Sequence, residues 1–221
     1  MLFSRLRGKP QRPTPPDDLS VSALHVVALD CETTGLDTRR DRIVSIATVP
    51  IVAGRLDVDA GFDRLVNPGC PIPARSTGVH GIRDEHVVAQ PAFSAILPEL
   101  AASLEEAVML GHEIGFDAAM IRREARLARL RWLPPPMIDT MLLGAALMGE
   151  SADLRLESMA ARLDVEVRGR HTALGDARAA AEIFLRLLPE LAARGATCLG
   201  DLRAICRGQE RVLRHRLGPG W

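Results

Sequence analysis

Residues 25–31, HVVALDC, make a short apolar run that ends in charge, the pattern of a buried strand. Thr33-Thr34-Gly35 closes it in a turn. Residues 42–52, RIVSIATVPIV, are rich in β-branched side chains and predict a second strand. Gly54 among polar neighbours predicts a hairpin, and a third strand through residues 62–66 ends at Asn67-Pro68-Gly69. From there the apolar spacing turns helical. It predicts a helix near residues 93–104, a short strand over 107–110, and a long helix over 116–131 that stops before Pro134-Pro135-Pro136. Further helices are expected over 139–148, starting at Asp139 or Thr140, over 154–163, and over 173–188 with Thr172 as its cap. A strand-rich beginning followed by alternating helices and short strands, with no internal repeat, implies an α/β fold: one mixed sheet flanked by helices.

The ends read differently. Residues 1–20 place Arg5, Arg7, Lys9 and Arg12 among four prolines and predict a flexible basic tail. Residues 21–190 carry the strands and helices of one domain. Residues 191–221 form a basic C-terminal extension with Arg203, Arg207, Arg211, Arg214 and Arg216, and room for one more helix before Gly218.

Composition narrows the class. Hydrophobic residues make up 47% and charged residues 25% of 221 residues, enough apolar side chains for a packed core. The formal net charge is zero, which argues against a protein that coats nucleic acid by bulk charge. A local cleft for a few nucleotides is compatible with it. Lys9 is the only lysine, a bias that reads first as genomic. The four cysteines, Cys31, Cys70, Cys198 and Cys206, form neither a C-x-x-C pair nor a zinc spacing. No apolar run is long enough to span a bilayer, and the N-terminus lacks the apolar stretch of a signal peptide. A reduced, soluble, cytoplasmic protein is expected, with no membrane partner.

The chemistry lies in the acids. Asp30 and Glu32 sit two apart on the first strand, so both carboxylates share one face, roughly 6–7 Å apart along the backbone. Cys31 points to the opposite face and reads as core. Two acids on an apolar strand need compensation, and a hard divalent cation supplies it. Read singly, Asp117 and Asp176 are acids at helix starts that complement the helix dipole. His171 lies on the loop entering the last long helix, five residues before Asp176.

The order of these residues is more specific than any one of them. Leu29-Asp30-Cys31-Glu32-Thr33-Thr34-Gly35-Leu36, then His112-Glu113-Ile114-Gly115-Phe116-Asp117, then His171-Thr172-Ala173-Leu174-Gly175-Asp176-Ala177 resemble the DnaQ-like 3′–5′ exonucleases, the DEDDh subclass named for four acids and a histidine. Val79-His80-Gly81-Ile82 and Ile138-Asp139-Thr140 are also similar to that family. The resemblance covers about residues 24–190 and looks most like the proofreading epsilon subunit of bacterial DNA polymerase III. It implies an RNase H-like mixed sheet with helices on both faces. It implies two divalent ions, Mg²⁺ or Mn²⁺, held by Asp30, Glu32, Asp117 and Asp176, with His171 as general base. Thr33, Thr34, Gly35 and Leu36 would line the pocket for the terminal nucleotide, and His80 and Phe116 would contact its sugar or base. The implied partner is a single-stranded or frayed 3′ end, DNA before RNA, with a polymerase as a further partner. Nucleoside 5′-monophosphates would be the products. One position departs from the pattern: Glu113 stands where relatives often have Asn. The competing readings are an RNA 3′-trimming enzyme, a phosphodiesterase of small nucleotides, and a non-catalytic module that binds a polymerase or nucleic-acid end.

Overall fold

A computed structural model describes residues 14–149 and 151–217. Strand β1 (Val26–Thr33) pairs antiparallel with β2 (Ile43–Val52) and parallel with β5 (Val108–Gly111). Beyond β5 lies β6 (Met137–Asp139), also parallel, while β3 (Arg55–Leu56) and β4 (Phe62–Leu65) both pair antiparallel with β2. The sheet is therefore mixed, as the strand-first, helix-later order predicted.

Alternation along β1 divides the core in two. Val26 and Ala28 join a cluster with α5 (Thr140–Met148), α6 (Leu156–Arg162) and α7 (Ala173–Ala193). Val27, Leu29 and Cys31 join the other, with α3 (Phe93–Ser103) and α4 (Ile114–Leu127). Helices cover both faces, which is why residues 26–29 are apolar without a break. Two short helices, α1 (Ala74–His80) and α2 (Asp84–Val87), lie between β4 and α3. They were not anticipated, because neither holds two full turns of apolar period. The three-residue β6 was also not anticipated.

The helix ends differ from expectation for local reasons. At its C-terminal end α4 stops on Arg129, which takes a left-handed φ of 56° while the Leu130 N–H returns to the Ala125 carbonyl. The triple proline is not what ends it. In contrast, α7 runs through Pro189 to Ala193, five residues past expectation. Leu187 and Leu191, one turn apart, are both buried, so packing carries the helix past the proline.

The two ends are tied together. Residues 1–13 of the expected tail lie outside the described residues. Asp17, Leu19 and Val21 bond through their backbones to Gly200, Leu199 and Thr197, and Arg203 pairs with Asp17 at 2.5 Å. The segment expected as a C-terminal extension forms α8 (Leu199–Leu217). Its Leu199, Leu202, Cys206 and Leu213 are buried in the core, where the helix packs against α5 and β6, so it is part of the packed unit. Among the described residues, no helix is long and apolar enough to cross a membrane.

Candidate active site

Asp30 and Glu32 continue the face of β1 that carries Val26 and Ala28, and so point toward α7. Thr172 caps α7 by accepting the Gly175 N–H at 3.1 Å, which fixes Asp176 in the first turn. Carboxylate oxygens of Asp30, Glu32 and Asp176 lie within 4.8 Å of one another. Asp176 is buried, and its Oδ1 has no hydrogen-bond partner. Asp117 comes from the other side of the sheet, in the first turn of α4, and is also buried. The Cys31 thiol and backbone lie close to its carboxylate. It stands outside the group of three but next to Asp30 in effect. Burial and then the charge of Asp117 raise Asp30 well above the ordinary carboxylate range, with Asp176 and Glu32 adding to it.

The other acids respond alike. Burial and the charge of Asp176 push Glu32 up to about 7. Burial pushes Asp117 up to about 8 against the lowering influence of the nearby Cys31. Carboxylates crowded in a poorly solvated pocket resist ionising together unless a cation joins them. The donors are hard oxygens, three within reach of one centre and one with an unused buried oxygen. A divalent ion such as Mg²⁺ or Mn²⁺ fits this set.

His171 sits at the edge of the cluster, half-buried, with a left-handed φ of 61°. Its backbone N–H lies close to the Asp176 carboxylate. The Arg168-Gly169-Arg170 stretch before it is held closely. A Cβ on Gly175 would lie 2.0 Å from the Gly169 carbonyl oxygen, so the loop rests directly on the first turn of α7. His80, at the end of α1, faces the same region. Its Nδ1 accepts from the Ile82 N–H at 3.0 Å, which leaves Nε2 to donate to the Thr33 carbonyl at 3.2 Å. Burial lowers its pKa, and the nearby His171 lowers it further against the Thr33 bond.

An exonuclease family model matches residues 27–184. The protein belongs to this exonuclease family. It is 43% identical over 194 residues to a DNA polymerase III subunit epsilon-like protein of Rhodobacter capsulatus, covering 86% of this chain and 27% of that one. The chain thus spans about a quarter of that relative's length. It is 30% identical to the DNA polymerase III subunit epsilon of Aquifex aeolicus, covering 75% of this chain and 81% of the other. Among solved structures it is similar to Exonuclease X in complex with 5′ overhanging duplex DNA, with a TM-score of 0.63 and 23% identity, covering 82% of this chain and 99% of that one. The fold is the RNase H-like one of these exonucleases.

Within this chain, the residues of the D-x-E-T-T-G loop mostly shape the loop itself. The Thr34 hydroxyl donates to Asp41 at 3.0 Å and accepts the Arg42 N–H, and the Thr33 hydroxyl donates to the Gly35 carbonyl at 2.7 Å. A Cβ on Gly35 would meet the Asp41 carboxylate at 2.5 Å, so a larger residue would have to push that carboxylate off the Thr34 hydroxyl and the Asp37 N–H. Leu36, beyond this turn, is 85% exposed. Phe116 is half-buried against the α4-side core. Sequence reasoning missed several supports. Ser76 donates to the Thr34 carbonyl at 2.6 Å, tying α1 to the loop. Arg42 clamps the buried Glu124 of α4 with bonds of 2.7 and 2.9 Å, tying β2 to the helix that carries Asp117. Asp139 accepts from both Glu113 and Met141 N–H groups, joining the starts of α4 and α5. Cys31, read as plain core, lies beside the Asp117 carboxylate. Asp139 and Cys31 stood inside motifs without a role assigned there; for Ser76, Arg42 and Glu124 the sequence carried no local signal.

Proposed function

We propose that this protein is a metal-dependent 3′–5′ exonuclease that releases nucleoside 5′-monophosphates, with DNA as its substrate. The observation that carries the reading is the group of Asp30, Glu32 and Asp176 within 4.8 Å, with Asp117 behind it. Asp30, Glu32, Asp117 and Asp176 would hold two divalent ions, Mg²⁺ or Mn²⁺. When bound, such a pair lowers the pKa of water and neutralises charge growing on the leaving 3′ oxygen. His171 takes a proton from the attacking water at an imidazole nitrogen, acting as general base. The left-handed backbone at His171, on a loop seated against α7, keeps that ring beside the carboxylates.

We assign Leu36, His80 and Phe116 to the terminal nucleotide, and Thr33, Thr34 and Gly35 to the loop that presents Leu36. Bases must unstack to reach such a pocket, which favours single-stranded or frayed 3′ ends. Similarity to an epsilon subunit supports DNA as substrate and a polymerase as partner. Four unpaired cysteines, two of them buried, support a reducing, cytoplasmic setting. The test uses matched DNA and RNA oligonucleotides, single- and double-stranded, labelled at either end, with Mn²⁺. Stepwise shortening from a free 3′-OH, faster on DNA, is expected. Release of a 5′-labelled mononucleotide as the first product would refute the polarity, and preference for RNA would refute the substrate.

A further inference from the structure

Arg170 figured in no motif, yet its guanidinium reaches into the acidic cluster. One arm donates to Asp176 Oδ2, and Nε donates to Glu157 Oε1 at 2.6 Å. The Arg170 side chain is 30% exposed. Its charge opposes the upward push on Asp30 and Glu32 as well. Glu157, on α6, is half-exposed and lies outside the four-acid set. The guanidinium therefore bridges one carboxylate of the candidate ion site and one carboxylate outside it.

The backbone around Arg170 is fixed while the side chain is long. Gly169 and His171 both hold left-handed φ values, 68° and 61°, and the Gly169 carbonyl is seated on α7. A divalent ion and a guanidinium repel at contact range in a poorly solvated pocket, so they compete for Asp176. Glu157 keeps the arginine nearby if it leaves. Arginine also matches the geometry of phosphate oxygens with paired N–H donors.

We propose that Arg170 is a built-in counterion that divalent metal displaces from Asp176, and that the displaced guanidinium, tethered by Glu157, takes a phosphate oxygen of the bound nucleotide. The proposal rests on the metal-site reading above. It makes metal and nucleotide bind cooperatively, since the phosphate gives Arg170 a partner in place of Asp176.

The test is calorimetric titration of Mn²⁺ into the full chain, alone and with thymidine 5′-monophosphate. Wild type, Arg170→Gln, Glu157→Gln and Asp176→Asn are compared, with circular dichroism melts to confirm folding. Arg170→Gln should bind Mn²⁺ alone about five- to tenfold more tightly than wild type. Glu157→Gln should bind it more weakly, because Arg170 then has only Asp176 to pair with. The nucleotide should tighten Mn²⁺ binding in wild type and lose most of that effect in Arg170→Gln. Unchanged or weaker Mn²⁺ binding in Arg170→Gln, or nucleotide coupling equal to wild type, overturns the proposal. If wild type binds Mn²⁺ and Asp176→Asn does not, such a failure is confined to Arg170. If wild type and Asp176→Asn alike take up no Mn²⁺, the metal-site reading fails with it.

Discussion

Asp176 combines burial, a helix start and an unbonded oxygen, a combination that is costly unless a cation completes it. His171 lies beside it at the edge of the cluster. Their variants should therefore separate. Replacing His171 with Ala should lower kcat by about 10²- to 10⁴-fold and leave Mn²⁺ affinity nearly unchanged. Asp176→Ala should lose both. Single-turnover cleavage with metal titration reads the two, and near wild-type turnover in the histidine variant would remove it from the mechanism. Glu113 poses a different question at the same scale. It was singled out as a charge where relatives often have Asn, but its side chain is exposed and its backbone is the issue: φ is 59°, and its N–H is bonded to Asp139. Asn adopts the left-handed region more readily than Glu. Glu113→Asn should stabilise the fold by about 0.5–1 kcal/mol, raising the melting temperature by roughly 1–4 °C. A lower melting temperature would show that the glutamate side chain makes a stabilising contribution of its own.

Among the elements, the start of α7 places more of the site than any other. It carries Thr172, Gly175 and Asp176, and it seats the loop that ends in Arg170 and His171. Gly175 has no room for a methyl group, since a Cβ there would lie 2.0 Å from the Gly169 oxygen. Gly175→Ala must push the loop away or tilt the helix. An overpacking cost of about 1–3 kcal/mol is expected, with a melting temperature lower by roughly 2–12 °C. Because the displaced loop carries His171, kcat should fall too, while substrate binding through the β1–β2 loop persists. Melting and steady-state kinetics check both halves, and unaltered kcat in a destabilised variant would separate the loop from catalysis. Across the sheet, α4 is registered by Arg42 and Glu124, so Asp117 is held by an ion pair remote from the chemistry.

For the molecule as a whole, the acids make stability depend on pH. Asp30, Glu32, Asp117 and Asp139 all have folded-state pKa values raised above their ordinary ones, chiefly by burial. The folded state thus binds more protons than the unfolded one, and stability falls as pH rises. The loss begins near the ordinary carboxylate values and runs to about 7 for Glu32 and Asp139 and about 8 for Asp117. In chelator, the protein should melt lower at about pH 8 than at about pH 5. Mn²⁺ should recover most of the difference at the higher pH and do little at the lower one, where protons already neutralise the site. A melting temperature that rises with pH in chelator would contradict the assigned shifts.

Much of this was legible in the chain. A period of two places Asp30 and Glu32 on one face of β1, whatever the rest of the protein does. The Thr172 cap and Asp176 in the first turn of α7 are likewise local, as is the apolar run that marks β1 as covered on both sides. Such features depend on neighbours a few residues away, so the sequence by itself determined them. The tertiary structure decided which acids meet. Asp117 reaches Asp30 from the opposite face of the sheet, and its link to Cys31 exists only because α4 packs there. It also decided that Arg170 turns inward between Glu157 and Asp176, and that α8 joins the core and is no loose extension. Those outcomes depend on segments distant in the chain, brought together by packing on both faces of the sheet, and no local period encodes such contacts.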